Sequence, residues 1–414
     1  MQLEKLSKSS LKRMLIARAC ISFTFQMLAI GAGQQIYMIH KSAFDLAYIG
    51  LAAFLPLIFC MMPAGILADK HNKKINIIIS QIICFISGAL LIWLTLSNHS
   101  NVFSYLVLIF LYGCGYTIQG PSVQATLPRI VTKEDFPTAI AKYNSASQIA
   151  KMTGPAAAGL IYIIHPAMVY AVICIMNTIA ICVIMGLKID LYKWGADTSD
   201  SNIPDSEDIS KLHEILLGFE YIWKNKSILG TISLDLFAVL FGGATALLPI
   251  YANDILKVGP VGLGILRTAP AIGALIVTLI IAKRGARSIG RNVGYKMFGA
   301  VFGFAAFTAL FGVSTNFALS IFALILLGAF DMISVTIRQI FIQIKTPDEL
   351  RGRVSSVNFI FVGTSNQLGE FESGMVAGLI GTVPSVLFGA AMTIATAGLW
   401  MFLFPDLRKL YKLN

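Results

Sequence analysis

Residues 75–96 read INIIISQIICFISGALLIWLTL, twenty-two positions without a charged side chain. At 1.5 Å rise per residue, such a helix is about 33 Å long, enough to cross a hydrocarbon core of ~30 Å. A second run, 293–313, has one lysine near its start, and the pattern recurs along the chain. Spans are predicted near 14–39, 46–68, 75–96, 102–127, 137–164, 167–187, 228–253, 260–282, 293–313, 317–344, 353–380 and 384–404. The expected fold class is therefore an all-α integral membrane protein with twelve transmembrane helices.

Composition agrees. Of 414 residues, 56% are hydrophobic and 13% charged, about half the charged share of an ordinary soluble protein. The net charge of +11 suggests nucleic-acid binding, but its placement argues against that partner. Twenty-six of the 32 Lys and Arg fall at the chain ends, in alternate loops or about a turn inside the adjoining span ends, including the basic start Lys5, Lys8, Lys12, Arg13 and Arg18. The opposite loops hold Lys41 and Lys257. By the positive-inside rule, both termini are expected in the cytoplasm. The first span is too long for a signal-peptide core and lacks a clear cleavage site. Six cysteines (Cys20, Cys60, Cys84, Cys114, Cys174, Cys182) sit singly in apolar runs, which suggests packing rather than disulfides or metal binding.

The one long polar stretch, 188–226, divides six spans from six. It predicts three parts: a six-helix half at 1–187, a cytoplasmic linker at 188–226 and a second six-helix half at 227–414. The acidic, Ser-rich centre of the linker reads as flexible. Its end carries Ile209, Leu212, Ile215, Leu216, Phe219, Ile222 and Trp223 at helical spacing, as in an amphipathic helix lying at the inner membrane surface. An offset of 214 aligns Thr132-Lys-Glu134-Asp135-Phe136 with Thr346-Pro-Asp348-Glu349-Leu350, and Asn144 with Asn358. With a small insertion, Ala158-Gly-Leu-Ile161 pairs with Ala377-Gly-Leu-Ile380. Two parallel halves of this kind form a transporter architecture.

Between spans 2 and 3 stands Gly65-Ile-Leu-Ala-Asp69-Lys70-His-Asn-Lys73-Lys74. It resembles the signature loop of the major facilitator superfamily. A small residue such as Gly65 lets helices approach closely, and Asp69 can face the positive N-terminus of a neighbouring helix as a state-dependent latch. The resemblance makes that neighbour span 11, beginning around Gly352-Arg353. Asn72 stands where the family usually has a second Gly, a departure that Asn's access to the left-handed region makes tolerable. Leu234-Asp235 through Pro249, Asp348 through Val354 and Ser365 through Gly374 extend the likeness. Together they resemble the drug- and siderophore-efflux branch, which includes enterobactin exporters and macrolide efflux proteins. The resemblance implies proton-coupled efflux, with the proton gradient instead of a cofactor, and spans 1, 4, 7 and 10 around the pathway. Gln367 replaces a Glu expected in many relatives. Gly154-Pro155 with Gly159 resembles the antiporter-associated element, whose physical meaning is a kink and a close helix contact. The pairs Gly299/Gly303 and Gly374/Gly378 suggest packing within the chain.

Charges at membrane depth cost at least ~2.5–3.5 kcal/mol each, so they face a cavity or a partner. The candidates for carrying the coupled proton are Asp235, Asp331, Glu370 and Glu372. Asp331 and Arg338 lie two turns apart on one helix face, so an ion pair between them is the competing reading. Glu370 and Glu372 point about 200° apart. Substrate-pathway candidates are Gln34, Gln119, Lys151, Arg267 and Arg338; Lys142 is the other base of span 5. Latch candidates are Gly65, Asp69, Lys70, Lys73, Lys74 and Arg353.

An enzyme is not indicated, because His213-Glu214 lacks the second His of a zinc site and no GxxxxGK[ST] is present. A receptor would be expected to carry a substantial soluble domain. The expected function is proton-coupled export of an amphipathic small molecule, siderophore or drug, by a monomer in the lipid bilayer. Import or facilitated diffusion is the alternative.

Overall fold

The computed structural model describes residues 2–97, 101–132, 134–189, 217–284, 292–347 and 350–409. Twelve long helices occupy them. They are α1 (Gln2–His40), α2 (Ala43–Lys70), α3 (Lys73–Leu96), α4 (Val102–Ile130), α5 (Phe136–Ile164), α6 (Pro166–Met185), α7 (Lys226–Phe241, continued by shorter turns to Ile255), α8 (Gly259–Arg284), α9 (Val293–Val313), α10 (Phe317–Lys345), α11 (Arg351–Ile380) and α12 (Thr382–Leu403). The span prediction holds to within a few residues, with one exception. Helix α1 starts at Gln2, well before the predicted 14, because the helix continues past the apolar stretch that fits the bilayer.

Ten of the twelve are apolar and long enough to cross a membrane, among the described residues. The two that fall short are α5 and α11. Both carry ionisable and amide side chains in mid-helix: Lys142, Asn144, Gln148 and Lys151 in α5; Asn366, Gln367, Glu370 and Glu372 in α11. They occupy equivalent places in the repeat.

Two compact units form. The first comprises Met1–Lys41, Ala52–Pro204 and Pro260–Gly264; the second comprises Ser42–Leu51, Asp205–Gly259 and Ile265–Asn414. In the first, α1 packs on α4, α5 and α6, while α3 packs on α4 and α6. In the second, α7 packs on α10, α11 and α12, while α9 packs on α10 and α12. The second scheme is the first advanced by six helices, so the thin sequence repeat is a repeat of packing. In the first unit, Met14, Ala17, Ile77, Val123, Leu127, Ile130 and Ile184 are buried together. In the second, Leu234, Ala238, Met297, Phe298, Val301, Ile337 and Ala397 do the same.

Small residues set the closest approaches. A Cβ at Gly374 would stand 2.7 Å from Ala47, and one at Gly378 would stand 2.5 Å from the Phe44 ring. That pair therefore packs within the chain, as expected. Gly299 does not behave so, since a Cβ there would meet nothing within 4 Å.

Of the predicted amphipathic linker helix, Ile209, Leu212, Ile215 and Leu216 lie outside the described residues. Residues 217–224 are helical. Ile222 is buried with Ile228, Ile232, Phe341, Ile342, Val354 and Val357, and Phe219 packs on Phe361 with ring centroids 5.4 Å apart. Trp223, grouped with that stripe in the sequence, is 73% exposed. This part of the stripe is divided, one side covering protein and the other turned outward.

Candidate functional site

The second unit holds most of the charge buried at membrane depth. Helix α7 is interrupted there. It runs straight to Phe241, passes through Gly242-Gly243, and continues as a 3-10 turn (Ala244–Leu247), a single α turn (Leu248–Ile250) and a π turn (Tyr251–Ile255). Two glycines followed by Pro249 favour such a break, because neither supports a regular helix interior. Packing requires it as well, since a Cβ at Gly243 would lie 2.2 Å from the carbonyl oxygen of Gly369 on α11. Non-helical backbone at this depth needs partners for its freed polar groups. Arg267 of α8 supplies one by donating Nη1 to the Thr245 carbonyl at 2.9 Å. Its Nη2 donates to Glu370 Oε1, also at 2.9 Å. A single guanidinium thus ties the broken α7 to α11. Broken helices at binding sites are a recurrent feature of secondary transporters.

Beside the break lies a cavity of about 250 Å³, lined by Thr245, Pro270, Phe304, Asp331, Asn366 and Glu370 among others. Asp331 enters it from the middle of α10, about 21 Å from either helix end at 1.5 Å per residue. A second, smaller void of about 10 Å³ adjoins Asp331 on another side, lined also by Asp235 and Ser334. That is close to the smallest space a single water occupies.

Arg338 does not pair with Asp331. It pairs with Asp235 of α7, and the two side chains are only 4% and 7% exposed. Two turns along one helix place Asp331 and Arg338 on a common face, but the neighbouring α7 supplies the carboxylate. Among the described residues, Asp331 has no ion-pair or hydrogen-bond partner. Glu372 accepts from the Ser373 hydroxyl at 3.3 Å and is absent from the cavity lining. Four candidate acids therefore occupy three different situations. Asp235 and Glu370 are paired, Glu372 is held locally, and Asp331 faces open space.

The candidates of the first unit are more dispersed. Gln119 accepts from Gln81 Nε2 at 2.8 Å, a bond between α4 and α3. Gln34 is buried. Its neighbour Gln35, which sequence reading passed over, joins four helices. Its amide donates to Thr95 and Tyr105 at 3.0 and 2.8 Å, and its carbonyl accepts from the Tyr170 hydroxyl at 2.7 Å. Lys151 is exposed in the middle of α5. Arg18, counted in the sequence with the cytoplasmic flank, lies well inside α1, its guanidinium 4.8 Å from the centroid of the Tyr143 ring.

At the signature loop, the side chains of Asp69 and Lys70 lie outside the described residues. Lys74 donates to the Leu187 carbonyl at 3.1 Å, and Lys73 is also engaged. Asn72 is not left-handed. At φ −61°, ψ 116° it caps α3, accepting from the Lys74 amide. Its side-chain carbonyl satisfies an N-terminal N–H of the helix, so its replacement of Gly has a local reason. Close approach does not explain Gly65, where a Cβ would meet nothing within 4 Å. Arg353 is half-buried at the start of α11, and its carbonyl oxygen lies 3.0 Å from where a Cβ on Gly218 would be.

Two units built on one repeated six-helix scheme, with a broken helix beside a cavity at membrane depth, define a major facilitator transporter: a multi-pass membrane protein, not an enzyme. The chain belongs to the family of that superfamily described as transmembrane secretion effector, which matches residues 2–412. A staphyloferrin A transporter of Staphylococcus aureus is 25% identical over 384 residues, 92% of either chain. Macrolide efflux protein A of Streptococcus pyogenes is 22% identical over 252 residues, 60% of either chain. A bacterial homologue of the human lysosomal transporter Spinster, solved inward-facing and occupied, superposes with a TM-score of 0.72 at 12% identity, covering 97% of this chain and 98% of that one. At that identity the likeness speaks for the fold.

Proposed function

We propose that this protein is a proton-coupled exporter of an amphipathic small molecule, a siderophore or a drug, working by alternating access. It acts as a monomer in a bacterial cytoplasmic membrane with both termini in the cytoplasm. Residues 1–187 and 227–414 move as the two halves, joined by the linker 188–226. The names of its relatives support the cargo class, and the loop charges support the orientation.

One observation carries the coupling: Asp331 is a mid-span carboxylate that borders a cavity and has no partner among the described residues. Ionised, it needs water or a cation in that cavity; protonated, it tolerates closure around it. Proton binding and release therefore bias which state the second unit can close into. Asp235 and Glu370 are already ion-paired with Arg338 and Arg267, and Glu372 lies outside the cavity lining, so Asp331 is assigned the proton. The cavity and the break in α7 supply the substrate path on this side. The loop bearing Gly65, Asp69, Lys70, Lys73 and Lys74, together with Arg353, is assigned the latch.

Proteoliposomes loaded with a pH dye test the reading. Adding a macrolide or a siderophore to the wild type should produce substrate-dependent proton movement. Silence across a panel of both ligand classes, with protein shown to be inserted, would defeat it.

A further inference from the structure

The ionisable groups of the first unit show an imbalance that the proton-coupling account does not use. Helices α3, α4, α5 and α6 contain no Asp or Glu, α1 has only Glu4 near its start, and the acids of α2 are Asp45 and Asp69 near its ends. Yet the unit's membrane-spanning helices carry the partly buried Arg18 and, on an exposed face, Lys151. Lys151 is fifteen residues from the start of α5 and thirteen from its end, about 20 Å from each. A lysine side chain cannot reach a headgroup from there, so its charge must face water or an anion.

The two cations belong to one surface. Ser22 and Ser147 hydroxyls meet at 2.9 Å between α1 and α5, an offset of 125 residues. Arg18 over Tyr143 repeats that offset one turn earlier. Lys151 follows Ser147 by one turn on α5, and just beyond it α5 still packs on α1, where a Cβ on Gly154 would lie 2.9 Å from Gln26 Cβ. The equal offsets of the Arg18–Tyr143 and Ser22–Ser147 contacts mean that α1 and α5 run parallel. Arg18 and Lys151 therefore sit about 12 Å apart along the helix axis. Tyr143 lies beneath Arg18. Phe25, next to Gln26, stacks on Tyr116 at 4.2 Å. Among the described residues, Arg18 Nε has no hydrogen-bond partner.

We infer that this face of α1 and α5 binds the cargo as an amphipathic dianion: one acidic group on Arg18, a second on Lys151, and an apolar or aromatic middle against Tyr143, Phe25 and Tyr116. The inference rests on the transporter reading and adds a cargo class to it. Each bound anion would neutralise a cation in a membrane-spanning helix, Lys151 at mid-depth and Arg18 about one turn inside its span, with no acid on its own helix within the span.

The test measures binding by the purified full chain in detergent, where no gradient acts. Decanedioate, whose extended carboxylates are roughly 11 Å apart from bond geometry, is the probe; succinate, decanoate and tetraphenylphosphonium are the comparisons. Decanedioate should bind the wild type more tightly than any of these, and added salt should weaken it. Arg18→Gln and Lys151→Gln should each raise Kd at least about tenfold. Arg18→Lys and Lys151→Arg, which keep the charge, should restore binding. Lys142→Gln should stay within about twofold, because nine residues place Lys142 on the opposite face of α5 from Lys151. Unchanged decanedioate binding in both glutamine variants would overturn the inference, as would preference for tetraphenylphosphonium. Binding by phosphatidylglycerol but by no soluble dianion would also overturn it. In proteoliposomes, intact decanedioate binding without gradient-driven flux would defeat the proton-coupled reading and leave the site standing.

Discussion

Asp235→Asn offers the sharpest separation of a structural from a coupling role. Its partner Arg338 is 4% exposed and already has one guanidinium nitrogen unbonded, so it cannot turn to solvent. Removing the carboxylate leaves a buried cation uncompensated, which costs roughly 3–5 kcal/mol. A ~200-residue unit shifts its unfolding midpoint by about 2–4 °C per kcal/mol. The substitution should therefore lower the midpoint by roughly 6–20 °C in detergent, read from thermal unfolding of the purified protein. The double variant Asp235→Asn with Arg338→Gln removes both charges and should recover most of that loss. Its proton coupling should survive, because Asp331 remains. A single variant as stable as the wild type would refute the argument. So would a double variant no more stable than the single.

Two further outcomes follow from geometry. Gly243→Ala places a Cβ 2.2 Å from a backbone oxygen and should destabilise by about 1–3 kcal/mol. Gly299→Ala, with no neighbour within 4 Å, should leave stability unchanged; equal thermal midpoints for the two would contradict this packing. Asp69→Asn should slow turnover without changing substrate affinity, which steady-state flux over a concentration series would show; unchanged turnover would remove the latch.

The parts of this fold legible in the sequence are those set by bilayer thickness. Runs such as 75–96 declare themselves by length, and alternate-loop charge follows from insertion. The repeat was visible because Thr132–Phe136 and Thr346–Leu350 sit at matching loops. Pairing was not legible. Arg338 has Asp331 on its own face but meets Asp235 across a helix contact, and only the rotation of α7 against α10 decides between them. Arg267 reaches Glu370 and Thr245 for the same kind of reason. The break in α7 was open to reading, since Gly242, Gly243 and Pro249 stand within eight residues, yet the apolar run around them reads as one span. Arg18 stands only four residues inside the predicted span 14–39 and reads as part of the basic flank; the Tyr143 ring beneath it lies 125 residues away in the sequence. Gln35 and Gln34 are indistinguishable by type and neighbourhood, and helix rotation alone makes Gln35 the four-helix junction. Asn72 had a local explanation, the N-cap, that required no left-handed backbone.

The central claim is that Asp331 couples proton movement to transport, and Asp331→Asn in proteoliposomes measures it. With an outward-to-inward pH gradient imposed and then collapsed by an ionophore, wild-type flux of a transported macrolide, siderophore or dianion should rise and fall with the gradient. Asp331→Asn should insert normally and keep gradient-independent exchange of the same substrate, while its response to the gradient disappears. Gradient-driven flux in Asp331→Asn equal to that of the wild type would contradict the account.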